Sequence, residues 1–157
     1  YSYMAQRVLR MPGSPYSLAA GFACGVAVSF TPLIGFHLVL AAVLAYMMRA
    51  NVIASWAGTI FGNPWTFPFI FILLHKVGTY LSEMLGLSSW FFVGDGQSTY
   101  GQFMQHFFPM VIGGMVMGVI SWLVSFGLAY WAVISWRRHR ARRVAAKKQM
   151  RARSTQL

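Results

Sequence analysis

The side chains that could carry chemistry are few, and they sit in unusual surroundings. Glu83 and Asp95 are the only carboxylates among 157 residues, and both fall in a loop-like stretch, so no general acid and base share a scaffold. The histidines at 37, 75, 106 and 139 show no metal-ligand spacing, Cys24 has no thiol partner, and no glycine-rich loop ends in a lysine. The expectation is a protein that is not an enzyme and holds no metal or cofactor. What remains is a polar set inside apolar sequence: Thr31, Pro32 and His37, then Arg49 and Asn51, then Asn63, Pro64 and Thr66, then His75 and Lys76. An ionisable residue at membrane depth costs at least ~2.5 kcal/mol, so it usually lines a cavity or marks a pathway. Helices unwound at the two prolines would add free N–H groups and positive dipole ends. With Arg49, Lys76 and His37 present and no acid nearby, the ligand class is an anion, and a lipid phosphate suits the apolar surroundings. Plainer roles compete: Arg49 and Lys76 snorkelling to an interface, His37 as a buried hydrogen-bonded residue, and Thr31 and Asn63 capping helix ends.

The elements that must position these residues follow from composition. Apolar residues make up 57% of the chain and charged ones 10%, against about 25% charged in a soluble domain. The net charge of +11 resembles that of a nucleic-acid binder, but its distribution does not. Residues 137–157 hold nine of the thirteen basic groups and no acid, whereas residues 1–136 carry a net +2. An apolar body with a polycationic tail is the pattern of an all-α integral membrane protein.

Residues 1–16 form a mixed N-terminal segment, and residues 17–136 the membrane domain. Arg7 and Arg10 would suit a secretory signal, but the apolar run that follows is too long for a cleavable one. The chain opens at Tyr1, which leaves room for residues upstream. Residues 17–48 are apolar and uncharged. As one helix they would measure about 48 Å, too long for one straight crossing of a ~30 Å core and too short for two. Pro32 breaks this run, and Asn63-Pro64 breaks residues 52–82 in a similar way. The pattern reads as two Pro-broken, hairpin-like repeats, of the kind that marks midplane sites in transporters; two ordinary kinked spans are the alternative. Residues 83–106, with both acids and Trp90-Phe91-Phe92, read as an extramembrane or interfacial loop. Residues 107–136 read as a transmembrane helix with Pro109 near its tolerant start, and residues 137–157 as a basic, partly helical cytoplasmic tail.

The preferred layout is a re-entrant hairpin over 17–48, a broken crossing over 52–82 and a return over 107–136, with both termini in the cytoplasm. A double crossing by 17–48 satisfies the same parity. Gly114, Gly118, Ser121, Ser125, Ala129 and Ala132 make a small-residue stripe at helical spacing, and Gly21, Gly25 and Ser29 a shorter one. Such stripes let another helix approach closely, in a homo-oligomer or in a larger membrane complex.

Thr31-Pro32-Leu33-Ile34-Gly35-Phe36-His37, Arg49-Ala50-Asn51 and Gly62-Asn63-Pro64-Trp65-Thr66 resemble the bacterial membrane family catalogued as domain of unknown function 2062. Its pattern is Pro-x-x-Gly-x-His, Arg-x-Asn and Asn-Pro-x-Thr, in that order, and the resemblance covers about residues 17–135. Domains of this family also occur fused to glycosyltransferases that use polyprenyl-phosphate sugars. The resemblance implies, by association, a place in lipid-linked sugar or envelope lipid metabolism. The expected function is binding or translocation of an anionic, polyprenyl-phosphate-like lipid in the bacterial inner membrane. The alternative is a non-catalytic accessory or assembly subunit. Convergence of His37, Arg49, Asn51 and Asn63 on one cavity would favour transport, and dispersal would favour the subunit.

The charge asymmetry predicts a cytoplasmic tail. In a Cys24→Ser background, Ser154→Cys should react with a membrane-impermeant thiol reagent only after cells are permeabilised. Labelling in intact cells would reverse the orientation.

Overall fold

The computed structural model describes residues 13–33, 35–87 and 98–154, without the side chains of 144 and 146–154. Among these residues the chain is all α: α1 (Pro15–Val28), α2 (His37–Met47), α3 (Val52–Gly58), α4 (Phe67–Met84) and α5 (Thr99–Ser154). A single 3-10 turn, Thr59–Phe61, extends α3 toward α4. Arg7, Arg10, Trp90, Phe91, Phe92 and Asp95 lie outside the described residues.

Helix α1 starts where Ser14 Oγ accepts the Ser17 N–H at 3.1 Å and Pro15 occupies the first turn, both ordinary start signals. It stops at Ser29, and Pro32 prevents its resumption. Leu18 to Gly21 and Ala23 to Val28 are all buried, so α1 is enclosed rather than amphipathic. Close backbone approach makes this possible. A Cβ placed on Gly21 would collide with the Asn51 carbonyl, one on Gly25 with the Ser55 carbonyl, and one on Gly58 with the Phe22 carbonyl. Helix α3 therefore lies directly on the backbone of α1. The Trp56 indole N–H donates to the Leu38 carbonyl at 3.1 Å and ties α3 to α2.

Helix α5 passes along both halves of the molecule. Gly78 of α4 sits on the Pro109 carbonyl, and Gly113 on the Leu74 carbonyl. Further along α5, Gly114 meets Phe30 and Gly118 meets Ala27, and Val133 clusters with Leu18 and Ala54. The N-terminal part of α5 thus covers α4, and its C-terminal part covers α1, running antiparallel to both. The two halves join where Val26 and Phe30 pack with Ile70 and Leu74. From that junction α1 and α4 extend in opposite directions.

Three sequence expectations change. Residues 99–106, read as loop, belong to α5, and residues 83–84 to α4. Pro109 lies ten residues inside α5 rather than near its start, where it leaves the Gln105 carbonyl without its helical donor. At Gly114 and Gly118 the α5 stripe meets α1 of the same chain rather than a foreign helix. Residues 137–154 continue α5 without a break.

The crossings predict a sharp contrast between glycines. Gly25→Val should destabilise the protein by about 1–3 kcal/mol through overpacking. Gly127, with nothing within 4 Å of its would-be Cβ, should gain up to about 1 kcal/mol as Gly127→Ala from helix propensity. Thermal unfolding in detergent checks both, and equal shifts would contradict the crossing.

Candidate functional site

The two breaks meet at the junction of the halves. In the first, the Thr31 hydroxyl donates to the Val28 carbonyl at 2.8 Å. Pro32 follows, the chain turns at Gly35 with φ +91°, and α2 restarts at His37. His37 reaches back, placing Nε2 3.4 Å from the Thr31 carbonyl. In the second break, Asn63 Oδ1 accepts the backbone N–H groups of Trp65 at 2.9 Å and Thr66 at 3.1 Å. The Thr66 hydroxyl in return accepts the Asn63 N–H at 3.0 Å. That reciprocal pair closes a turn over residues 63–66, and α4 follows with Thr66 at its N-cap position and Pro68 in its first turn. The breaks touch each other: the rings of His37 and Phe67 stack at 5.3 Å and those of Phe30 and Phe61 at 6.1 Å.

Arg49 and Asn51 lie elsewhere. The Asn51 N–H donates to the Ser17 carbonyl at 2.9 Å, at the start of α1. Ser17 and Ser29 are twelve residues apart along α1, or about 18 Å. Asn51 Oδ1 caps α3 by accepting the Ala54 N–H at 3.0 Å. Arg49 closes α2: its N–H bonds to the Tyr46 carbonyl at 3.0 Å and the Ala50 N–H to the Ala45 carbonyl at 2.8 Å. These two bonds form a Schellman motif, whose left-handed position usually holds glycine. Arg49 occupies that position with φ +52° and is exposed. The same motif ends α4, where the Leu87 N–H bonds to the Ser82 carbonyl at 2.9 Å, and there the left-handed residue is Gly86, φ +65°.

The charged end of α5 reaches the same end of α1. Arg137 Nη2 donates to the Gly13 carbonyl at 2.6 Å, and the Arg140 guanidinium lies over the Trp136 ring at 5.3 Å. Lys76 is exposed on α4, on the far side of the breaks. The structure therefore gathers Thr31, Pro32, His37, Asn63, Pro64 and Thr66 in one place. It puts Arg49 and Asn51 in a second and Lys76 in a third. No single cavity holds the polar set.

Residues 1–142 match the family model described as an uncharacterized protein conserved in bacteria, DUF2062. The chain belongs to DUF2062. No curated protein and no solved structure matches it. In this DUF2062 chain the Pro-x-x-Gly-x-His element ends one helix and restarts the next. Arg-x-Asn is a corner between two helices, and Asn-Pro-x-Thr is the turn that precedes α4.

A histidine pair was not legible in the sequence. His75 of α4 and His106 of α5 stack at 5.5 Å with an interplanar angle of 15°. His75 Nδ1 and Thr79 Oγ1, one turn apart on α4, are buried without hydrogen-bond partners. They lie along the contact where Gly78 meets Pro109. The spacing of His75 and Thr79 puts them on one helix face, but nothing local links His75 to His106.

The turn over residues 63–66 separates a structural role for Asn63 from a ligand role. Asn63→Ala should cost about 1 kcal/mol of stability while leaving lipid retention by the folded protein unchanged. Native mass spectrometry and thermal unfolding of the same sample check this, and loss of lipid without loss of stability would restore Asn63 as a binding residue.

Proposed function

We propose that this DUF2062 chain is a bacterial inner-membrane protein that binds an anionic lipid of the polyprenyl-phosphate kind at its basic end, with both termini in the cytoplasm. Several observations support the membrane placement. The Thr99–Arg143 stretch of α5 is long and apolar enough to cross, and only 11% of its most apolar window is buried within the protein, unlike the core helix of a soluble domain. Large apolar side chains stand exposed on every helix, among them Tyr16, Tyr46, Trp56, Phe69 and Trp131, more than a soluble monomer carries.

Helix lengths fit the re-entrant layout. At 14 and 11 residues, α1 and α2 measure about 21 and 16 Å, too short to cross ~30 Å. They would enter and leave from the cytoplasmic side. Helix α3 would enter again to the level of the breaks, α4 would continue outward, and α5 would return across the full thickness.

Arg49 carries the functional reading. A left-handed conformation costs a non-glycine residue roughly 1–2 kcal/mol, and an observed outlier of this kind points toward function. Glycine fills the equivalent position at Gly86, so the fold itself does not require arginine. The guanidinium stands exposed at the end that also carries Arg137 and Arg140, where it can pair bidentately with a phosphate. Because the polar set is dispersed, the proposal is of binding rather than of a central translocation path. That dispersal also favours the second reading, an accessory subunit of a larger membrane complex.

Arg49→Gly decides between the two. Relief of the backbone should raise stability by about 1 kcal/mol, while lipid retention and complementation of a deletion strain are lost. Arg49→Ala should lose function without the gain in stability, and Arg49→Lys should retain part of it. Full complementation and unchanged lipid retention by Arg49→Gly would overturn the anion site and leave the accessory role.

A further inference from the structure

Beyond the breaks, α1 and the C-terminal half of α5 border a groove of about 500 Å³, a size typical of small-ligand sites. Leu18, Phe22 and Val26 form one wall, and Ser125, Ala129 and Ala132 the other. The wall offers no free hydroxyl donor. Ser121 Oγ donates to the Gly118 carbonyl at 2.9 Å and Ser125 Oγ to the Ser121 carbonyl at 2.6 Å. The groove therefore suits an apolar occupant. One turn further along α5, Trp136, His139, Arg140 and Arg143 line a second recess of about 840 Å³. Residues 125, 129, 132, 136, 140 and 143 follow one another at spacings of three and four, so groove and recess share one helix face. From Leu128 to Arg140 the rise is about 18 Å. An apolar slot and a cluster of guanidinium groups thus follow one another on this face, with no acid beside them among the described residues.

We propose that this face is a site for one anionic lipid, its acyl chain in the α1–α5 groove and its phosphate on Arg140 and Arg143. The proposal rests on the membrane placement above and is separate from the Arg49 corner. Charge selects the occupant. A second copy docked in parallel would bring another nine basic groups of residues 137–157 against the first set, and like charges oppose that contact. A neutral lipid would fill the groove but leave the guanidinium groups unpaired. An anionic amphiphile satisfies both halves.

The test uses the full chain in nanodiscs holding equal amounts of phosphatidylglycerol and phosphatidylcholine, with native mass spectrometry of the released protein. The wild type should retain one phosphatidylglycerol in preference to phosphatidylcholine. Ala129→Phe, which fills the groove and leaves every charge in place, should lower retention of both lipids about tenfold. Ala132→Leu, a milder filling, should act in the same direction and guards against misfolding of the first variant. Arg140→Gln with Arg143→Gln should reduce the preference for phosphatidylglycerol about tenfold while phosphatidylcholine is still retained. Loss of preference in the arginine variant with no effect of groove filling would overturn the site and leave only surface attraction by the tail. A dimer mass lost on groove filling would overturn it in favour of a second copy. Retention of phosphatidylglycerol that responds to Arg49→Gly but to none of these changes would overturn the groove site and leave the Arg49 reading standing. Equal retention of both lipids by the wild type would overturn both.

Discussion

Helix α1 is buried over most of Leu18 to Val28 because its neighbours bring backbone against it where side chains would not fit. Gly21 and Gly25 seat the carbonyls of Asn51 and Ser55, and Gly58 seats that of Phe22. Small residues at such contacts let backbones approach closely enough for van der Waals packing to hold the helices together. The same constraint fixes the length of α1. A helix packed this tightly against α3 and α5 ends where Ser29 meets Gly62, whose added Cβ would lie 2.7 Å from the serine Cβ. The two breaks are thereby held at one level, and α4 can leave in the opposite direction.

Every unwound helix end releases backbone donors and acceptors that are costly to leave unpaired away from water. At the breaks those groups are accounted for locally. Asn63 and Thr66 cap each other's turn, the Thr31 hydroxyl bonds its own helix, and His37 lies over the Thr31 carbonyl. Buried hydroxyls follow the same rule, as in Ser29 donating to the Gly25 carbonyl at 3.1 Å and Ser82 to the Gly78 carbonyl at 2.7 Å. Among the described residues His75 Nδ1 and Thr79 Oγ1 on α4 and Trp122 Nε1 on α5 are buried without a hydrogen-bond partner. Pro109 also withholds a donor from the stretch of α5 that faces α4. Each unpaired group costs about 1–3 kcal/mol.

The sequence exposed those features that have a local cause. Apolar composition and long uncharged apolar runs lead to the all-α class, and three short motifs lead to the family. The polar residues before Pro32 and Pro64 lie in the breaks because proline acts on its own and the preceding residue. The start of α5 carried a local signal too: Ser98 Oγ accepts the Gly101 N–H at 3.1 Å, but the neighbouring acids and glycines outweighed it. The place of Pro109 is hidden for the same reason, since a proline's position in a helix depends on where the helix begins. The partner of the α5 stripe was hidden because spacing shows that something approaches closely, not which helix does. Arg49 was visible as a charge but not as a left-handed residue, because arginine does not signal that conformation.

Grouping residues by chemistry alone put Thr31, His37, Arg49, Asn51, Asn63, Thr66 and Lys76 in one anion-binding set, and the structure divides that set among three places. A side chain that closes a turn spends its acceptor there, so a ligand at Asn63 Oδ1 would have to displace the Trp65 and Thr66 N–H groups and pay for a lost turn. Asn51 is committed in the same way to Ala54. A charged side chain at an exposed corner has no such commitment. Arg49 projects from a backbone position that glycine would fill at lower cost, and Arg140 and Arg143 extend past the last apolar turn of the groove. The side chains of Arg49, Arg140 and Arg143 therefore stand outside the bonds that hold the helix ends at the breaks together.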